Sequence, residues 1–168
     1  MDSEPLTHLD EHGHARMVDV GDKPVSRRRA TAEGRIRMER ETLLAIRAGG
    51  MSKGDVLAVA RLAAIGGAKR TADTIPLCHT LPLDSVAVEV ELDAELPGIR
   101  IRVETSVEAR TGVEMEALCG VSAGLLAVYD MCKGMDRGMQ IGEIQLVAKQ
   151  GGRSGVWRRP DDLADPRA

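Results

Sequence analysis

The core of this chain has to be assembled without large aromatic rings. Its 168 residues contain no Phe, one Tyr (Tyr129) and one Trp (Trp157), while 43% are apolar. The core therefore falls to Ala, Val, Leu, Ile and Met, and the small members of that set let helices approach closely. Aromatic side chains supply the largest buried areas per residue, so a domain that lacks them gains from burial between subunits. An oligomer is expected. The length suits one domain with a single core that needs no disulfide or metal staple.

The formal net charge of −3 leaves no electrostatic footprint for bulk nucleic-acid binding. No run approaches the ~18 apolar residues needed to span a membrane, and the polar N-terminus is not a signal peptide. A cytoplasmic protein with neither nucleic acid nor membrane as partner is expected. The three cysteines, Cys78, Cys119 and Cys132, are odd in number and widely spaced. They fit neither a disulfide framework nor the paired spacing of a zinc or iron–sulfur site, and read as reduced thiols. Of the 23 basic residues only five are Lys: Lys23, Lys53, Lys69, Lys133 and Lys149. In a chain this biased toward Arg, surviving lysines are enriched where a compact ammonium or a mobile proton is needed. The last four are singled out as functional candidates.

Residues 1–18 are polar, carry His8, His12 and His14, and read as a flexible N-terminal segment. A single domain is assigned to residues 19–157 and a disordered tail to 158–168. Residues 19–30, with Arg27-Arg28-Arg29, read as a loop leading into a strand over 31–38. A helix over about 39–48 stops at Gly49-Gly50. A second helix begins at Ser52 as N-cap and runs to about Arg70; Gly66-Gly67 inside it signals close packing against another backbone. Val86, Val88, Val90 and Leu92, then Ile99, Ile101 and Val103, alternate with polar residues around Pro97-Gly98. That pattern predicts a hairpin with one apolar and one wet face. Thr111 and Glu114 form a capping box that opens the longest helix, ending near Lys133-Gly134. A last strand covers about 139–148. This order predicts an α+β domain, an antiparallel sheet covered by helices on one face, similar to a ferredoxin-like fold.

Asp130 and Lys133 share a helix face at i,i+3. Such a pair is ordinarily a modest surface ion pair. Here Tyr129, Met131 and Cys132 are apolar or soft, so a half-buried turn is expected, with the Asp raised and the Lys lowered toward neutrality. Glu114 and Glu116 sit at the other end of the same helix, fourteen residues from Asp130, or about 21 Å at ~1.5 Å per residue. If both ends serve one small substrate, the site must lie across a subunit interface. Leu77-Cys78-His79 lies in a loop bounded by Pro76 and Pro82, where a His is a good site candidate; Cys78 reads equally as a small buried hydrophobe. Lys53 stands at a helix start, where the dipole disfavours a cation unless an anion binds nearby. Lys69 suits the helix C-terminus it occupies. Lys149 to Gly155 could form an anion nest. Together these residues describe a site for an anionic small molecule undergoing proton transfers.

Several segments go further: Met17-Val18-Asp19-Val20, Lys53-Gly54-Asp55-Val56, Ala68-Lys69-Arg70-Thr71, Ile75-Pro76-Leu77-Cys78-His79, Thr111-Gly112-Val113-Glu114-Met115-Glu116-Ala117-Leu118 and Tyr129-Asp130-Met131-Cys132-Lys133. With the closing Lys149–Gly155 segment they resemble the MoaC family over about residues 7–157. The resemblance implies a ferredoxin-like enzyme of molybdenum cofactor biosynthesis. Such an enzyme converts 3′,8-cyclo-7,8-dihydro-GTP to cyclic pyranopterin monophosphate with release of pyrophosphate. It implies Asp130 as acid/base with Lys133 as its neighbour in proton transfer, and Lys53 and His79 around the triphosphate or reacting ring. Leu77, Cys78, Met115 and Glu116 are implied substrate contacts, with Glu114, Arg28, Lys69 and Lys149 as further ones. It also implies a hexamer built as a trimer of dimers, with the site at the dimer interface. No cofactor is firmly implied; Mg²⁺ could accompany the triphosphate, since it often binds through phosphates. The rival reading is a non-catalytic nucleotide-binding or regulatory oligomer.

Overall fold

The structure, a computed structural model, describes residue 9 and residues 12–160. His8, the rest of residues 1–11 and residues 161–168 of the expected tail lie outside the described residues. The chain order is β1 (Ser26–Arg37), α1 (Arg40–Arg47), α2 (Val56–Lys69), α3 (Thr71–Thr74), β2 (Ser85–Asp93), β3 (Gly98–Ala109), α4 (Glu114–Cys132), β4 (Gln140–Gln150) and β5 (Val156–Arg158). The strands form one sheet in the order β2-β3-β1-β4-β5, and every pairing is antiparallel. The first four strands thus take the 2-3-1-4 order of a ferredoxin-like sheet, as the element order predicts.

One face of the sheet carries α2 and α4. Ile36, Ile99, Ile101, Val103, Val121 and Leu125 are the heart of the core, each at most 1% exposed. Without aromatics to separate them, α2 and α4 meet along a seam of small residues. A Cβ placed on Gly120 would lie 3.1 Å from the Ala64 carbonyl oxygen, and one on Gly124 would lie 3.3 Å from that of Ala60. The other face is wet and charged, with Arg29–Glu104, Arg102–Glu33 and Glu143 between Arg35 and Arg37. By length and composition α4 could cross a membrane, a feature the residue-run criterion missed. Its apolar side is the core of this domain.

Three local expectations are corrected and one element is added. β1 starts at Ser26, so Arg27-Arg28-Arg29 lies in a strand and not in a loop; the run pairs with Ser106–Glu108 of β3, and ladder hydrogen bonds override its lack of apolar alternation. The N-cap of α2 is Asp55 rather than Ser52, its Oδ1 accepting from the Ala58 amide at 3.0 Å. No capping box opens α4: its N-cap is Val113, without a side-chain cap, because Glu114 is drawn instead to Lys149. Finally, β5 adds a short edge strand to β4 after the Gly-rich turn.

Candidate active site

Chemistry gathers at the two ends of α4. At the C-terminal end Asp130 is held between two ammonium groups. Lys133 Nζ approaches Oδ1 at 2.7 Å, and Lys53 Nζ approaches Oδ2 at 2.9 Å. Lys53 also donates to the Asp130 main-chain carbonyl at 2.8 Å. Lys53 arrives because α2 runs antiparallel to α4, so the segment before α2 ends beside the last turn of α4. The buried Asp136 fixes the turn beyond α4: Oδ2 accepts from the Glu39 amide and Oδ1 from the Gly138 amide, each at 2.8 Å. Tyr129 Oη donates to the Arg137 carbonyl at 3.2 Å.

The electrostatics of this triad overturn the expectation of a half-buried pair near neutrality. Met131 and Cys132 are buried, but Asp130 and Lys133 point to solvent. Hydrogen bonds from Lys133 and then Lys53 pull the Asp130 carboxyl from its ordinary 3.8 down to about 2. The same contact with Asp130 pushes Lys133 up. With little desolvation to oppose it, charge pairing decides the direction of both shifts.

At the N-terminal end, a cleft of ≈ 260 Å³ is lined by the Leu77-Cys78-His79 loop, by Glu114, Met115 and Glu116, and by the strap carrying Val18, Val20 and Lys23. Glu116 is 5% exposed. Burial raises its carboxyl, its own amide opposes that, and the Glu114 charge adds to the rise. Burial likewise pushes the Cys78 thiol up, helped by Glu116 and Cys119, so Cys78 is no ready thiolate. His79 Nε2 is 2.9 Å from the Val18 carbonyl oxygen. A carbonyl only accepts, so Nε2 carries a proton toward it.

Lys149, on β4, pairs with Glu114 at 3.1 Å. Arg28, on β1, donates from Nε to the Ala109 carbonyl at 3.3 Å and from Nη2 to that of Arg110 at 3.4 Å. Its guanidinium lies over Gly152, whose φ of +72° and missing Cβ both make room for it. Lys69 lines a neighbouring cleft that shares Leu81 with the first.

One chain therefore brings Leu77, Cys78, His79, Met115 and Glu116 together, with Glu114 linking them to Lys149. It unites Lys53, Asp130 and Lys133 separately. It does not bring the two groups together, since they stand at opposite ends of the 19-residue α4. Val18, Val20 and Lys23 escaped the residue-level reading; for Lys23 the scarcity of lysine was already the signal. Among the described residues no cluster of three or more His, Cys, Asp or Glu side chains could hold a metal ion. A Mg²⁺ here would have to be carried largely by phosphate oxygens.

The MoaC family model matches residues 17–152, a span that takes in both ends of α4. The cyclic pyranopterin monophosphate synthase of Thermomicrobium roseum is 56% identical over 159 residues, covering 95% of this chain and 96% of that protein.

Proposed function

This chain belongs to the MoaC family, and on that premise we propose that it is a cyclic pyranopterin monophosphate synthase of molybdenum cofactor biosynthesis, acting in the cytoplasm. Its substrate is 3′,8-cyclo-7,8-dihydro-GTP, and pyrophosphate leaves as the cyclic phosphate closes. The observation that carries the reading is the near-full-length identity to the Thermomicrobium roseum synthase. The geometry is in keeping with it: a carboxylate clasped by two ammonium groups can accept and return protons, and a second group of polar residues can bind a nucleotide-derived anion.

The two half-sites work together only if a second copy contributes. Residue 123 lies midway between Glu116 and Asp130 on α4. An antiparallel crossing of two α4 helices about that point would bring Glu116 of one copy toward the partner's Asp130. The outer face of α2 and α4 favours such a contact, since Leu62 is 70% exposed, Leu126 60% and Val59 37%. A dimer with two shared sites is the catalytic unit, and three dimers make the hexamer. Covering the triad with a second copy removes water from it. Desolvation raises a carboxyl and lowers an ammonium, which moves Asp130 and Lys133 back toward the range where proton transfer at neutral pH is efficient.

In this dimer Asp130 is the proton acceptor, with Lys133 and Lys53 as donors to developing negative charge. His79, held by Val18, presents Nδ1 to the substrate beside Leu77 and Cys78. Met115 and Glu116 contact the base-derived ring, and Arg28, Lys69 and Lys149 face the phosphates. Purified protein given the cyclised dihydro-GTP should release cyclic pyranopterin monophosphate and pyrophosphate in equal amounts; absence of both products sinks the proposal. Asp130→Asn should bind the intermediate without turning it over. A binding-only regulatory oligomer would instead show no turnover in the wild type either. A near-full rate in Lys133→Ala would remove that residue from proton transfer.

A further inference from the structure

Gly134 follows the C-cap of α4, yet its φ is not positive. The left-handed glycine that commonly stops a helix and satisfies its last carbonyls is therefore missing. Lys133, the C-cap itself, keeps nearly helical angles, φ −58° and ψ −19°. The orphan carbonyls find other partners. That of Tyr129 accepts from the Lys133 amide at 2.8 Å, and that of Cys132 from the Met135 and Asp136 amides at 2.8 and 3.1 Å. That of Asp130 takes the Lys53 ammonium at 2.8 Å. What holds the chain beyond Lys133 has to come from outside the helix.

Asp136 supplies that hold. It is 8% exposed, and a buried carboxylate is costly unless hydrogen bonds compensate it. Here two main-chain amides do so. Oδ1 accepts from the Gly138 amide at 2.8 Å, which closes a local turn. Oδ2 accepts at 2.8 Å from the amide of Glu39, 97 residues away in sequence. The second bond ties the end of α4 to the junction between β1 and α1. Tyr129 Oη adds a further tie by donating to the Arg137 carbonyl at 3.2 Å. All of these bonds hold main chain just after Lys133.

We propose that Asp136 is a positioning residue of the proton-transfer site, fixing the main chain after Lys133 so that the Lys133 ammonium stays on Asp130. It acts through Lys133 and not on the substrate. The 2.7 Å contact of Lys133 with Asp130 is an i,i+3 pair, and it persists only while Lys133 keeps helical angles. Helix ends fray, and Lys133 stands at one. A buried anchor tied to a distant element opposes that fraying. The two ammonium groups of the triad are thus set independently: Lys53 by the close approach of α2 to α4, Lys133 by Asp136. The inference rests on the proposed part of Asp130 and Lys133 in proton transfer.

The test compares the full-length protein with Asp136→Ala, Asp136→Asn and Tyr129→Phe, each assayed below its own unfolding transition. In turnover of the cyclised dihydro-GTP, kcat should fall about 10–100-fold in Asp136→Ala with KM within about twofold of wild type, the scale for a reacting group displaced by about 1 Å. Asp136→Asn keeps one acceptor but turns an N–H toward the other amide, so its kcat should lie between the two. Tyr129→Phe keeps the ring and loses a single tie; its kcat should fall about threefold. Carbon NMR reads the same effect without catalysis: the Asp130 carboxyl should titrate at higher pH in Asp136→Asn than in wild type, as the Lys133 contact loosens. If Asp136→Ala does not fold, Asp136→Asn and Tyr129→Phe decide. A kcat within about twofold of wild type in folded Asp136→Asn overturns the inference, as does a rise in KM at constant kcat. An unmoved Asp130 titration overturns it too. If wild type forms no cyclic product, the activity proposal fails, while a displaced Asp130 titration in Asp136→Asn still upholds the positioning role.

Discussion

Two adjacent glycines of α2 offer a sharp check on the packing argument. A Cβ built on Gly67 would lie 2.5 Å from Ala123 Cβ and 2.8 Å from the Cys119 carbonyl oxygen. Relaxed carbon contacts are about 3.5–4.0 Å, so the space is short by roughly 1 Å. Neither obstacle can rotate away, one being a methyl on a helix and the other backbone. Gly67→Ala must therefore push α2 off α4, at about 1–3 kcal/mol for overpacking. Gly66 has nothing within 4 Å of its would-be Cβ, so Gly66→Ala keeps only the helix-propensity gain of about 0.5–1 kcal/mol. That gain is common to both variants, and their difference isolates the overpacking cost. At about 2–4 °C per kcal/mol for a chain of this size, Gly67→Ala should melt on the order of 5 °C below Gly66→Ala. Thermal unfolding followed by circular dichroism, at one matched protein concentration because assembly shifts Tm, reads the difference. Equal melting temperatures, or the reverse order, would refute the close-packed seam.

In dissociated single subunits the Asp130 carboxyl, followed by carbon NMR through a pH titration, should rise from about 2 toward 3.8 in Lys133→Met. The rise in Lys53→Met should be smaller, because Lys133 is the larger influence. The folded value is depressed, so the stabilisation by this pair is complete above 3.8 and disappears as pH falls through about 2; a Lys133→Met protein whose acid limb of unfolding is unmoved would contradict it. Glu116 is raised instead, so its burial costs stability as pH climbs above the ordinary 4.5. Glu116→Gln should melt above wild type at pH 7, match it at pH 4 and bind the nucleotide more weakly. Mixing Glu116→Ala with Asp130→Asn subunits tests the shared site: random exchange leaves about a quarter of dimeric sites intact, so activity should reappear from two inactive proteins, and its absence would place each site within one chain.

The hairpin and the long helix were legible in the sequence because apolar alternation over 86–92 and 99–103 has only one reading, and because Leu118, Val121, Leu125 and Val128 fall on one helical stripe. The start of β1 was not. Arg27, Arg28 and Arg29 carry no apolar alternation, and their strand exists because β3 supplies a long ladder to pair with. The capping box at Thr111 failed for a related reason: Glu114 has a local partner in sequence but a stronger one in Lys149, which lies on β4 and is invisible to a window of four residues. At the site, the chain positions of Asp130, Lys133, Glu116 and His79 were readable, and so was the impossibility of joining the ends of α4. The sign of the Asp130 shift was not. Soft neighbours at 131 and 132 suggested burial, but those side chains turn into the core while Asp130 turns outward, and Lys53, 77 residues away in sequence, closes the triad.

The missing aromatics and the triad are one problem in packing. Interaxial distances of packed helices run from about 8 to 10 Å according to the side chains between them, and Ala60, Ala64, Gly120 and Gly124 place α2 and α4 at the close end of that range. Lys53 reaches Asp130 from the segment just before α2, so its 2.9 Å contact depends on that separation. Aromatic residues in the seam would add buried area but move Lys53 outward by an ångström or two. That shift would leave Asp130 with one ammonium neighbour in place of two. The same composition leaves Leu62 and Leu126 largely exposed among the described residues. A core of small residues thus brings the Lys53 clasp together within one subunit, and its unburied surplus is what a second subunit would cover to complete the site.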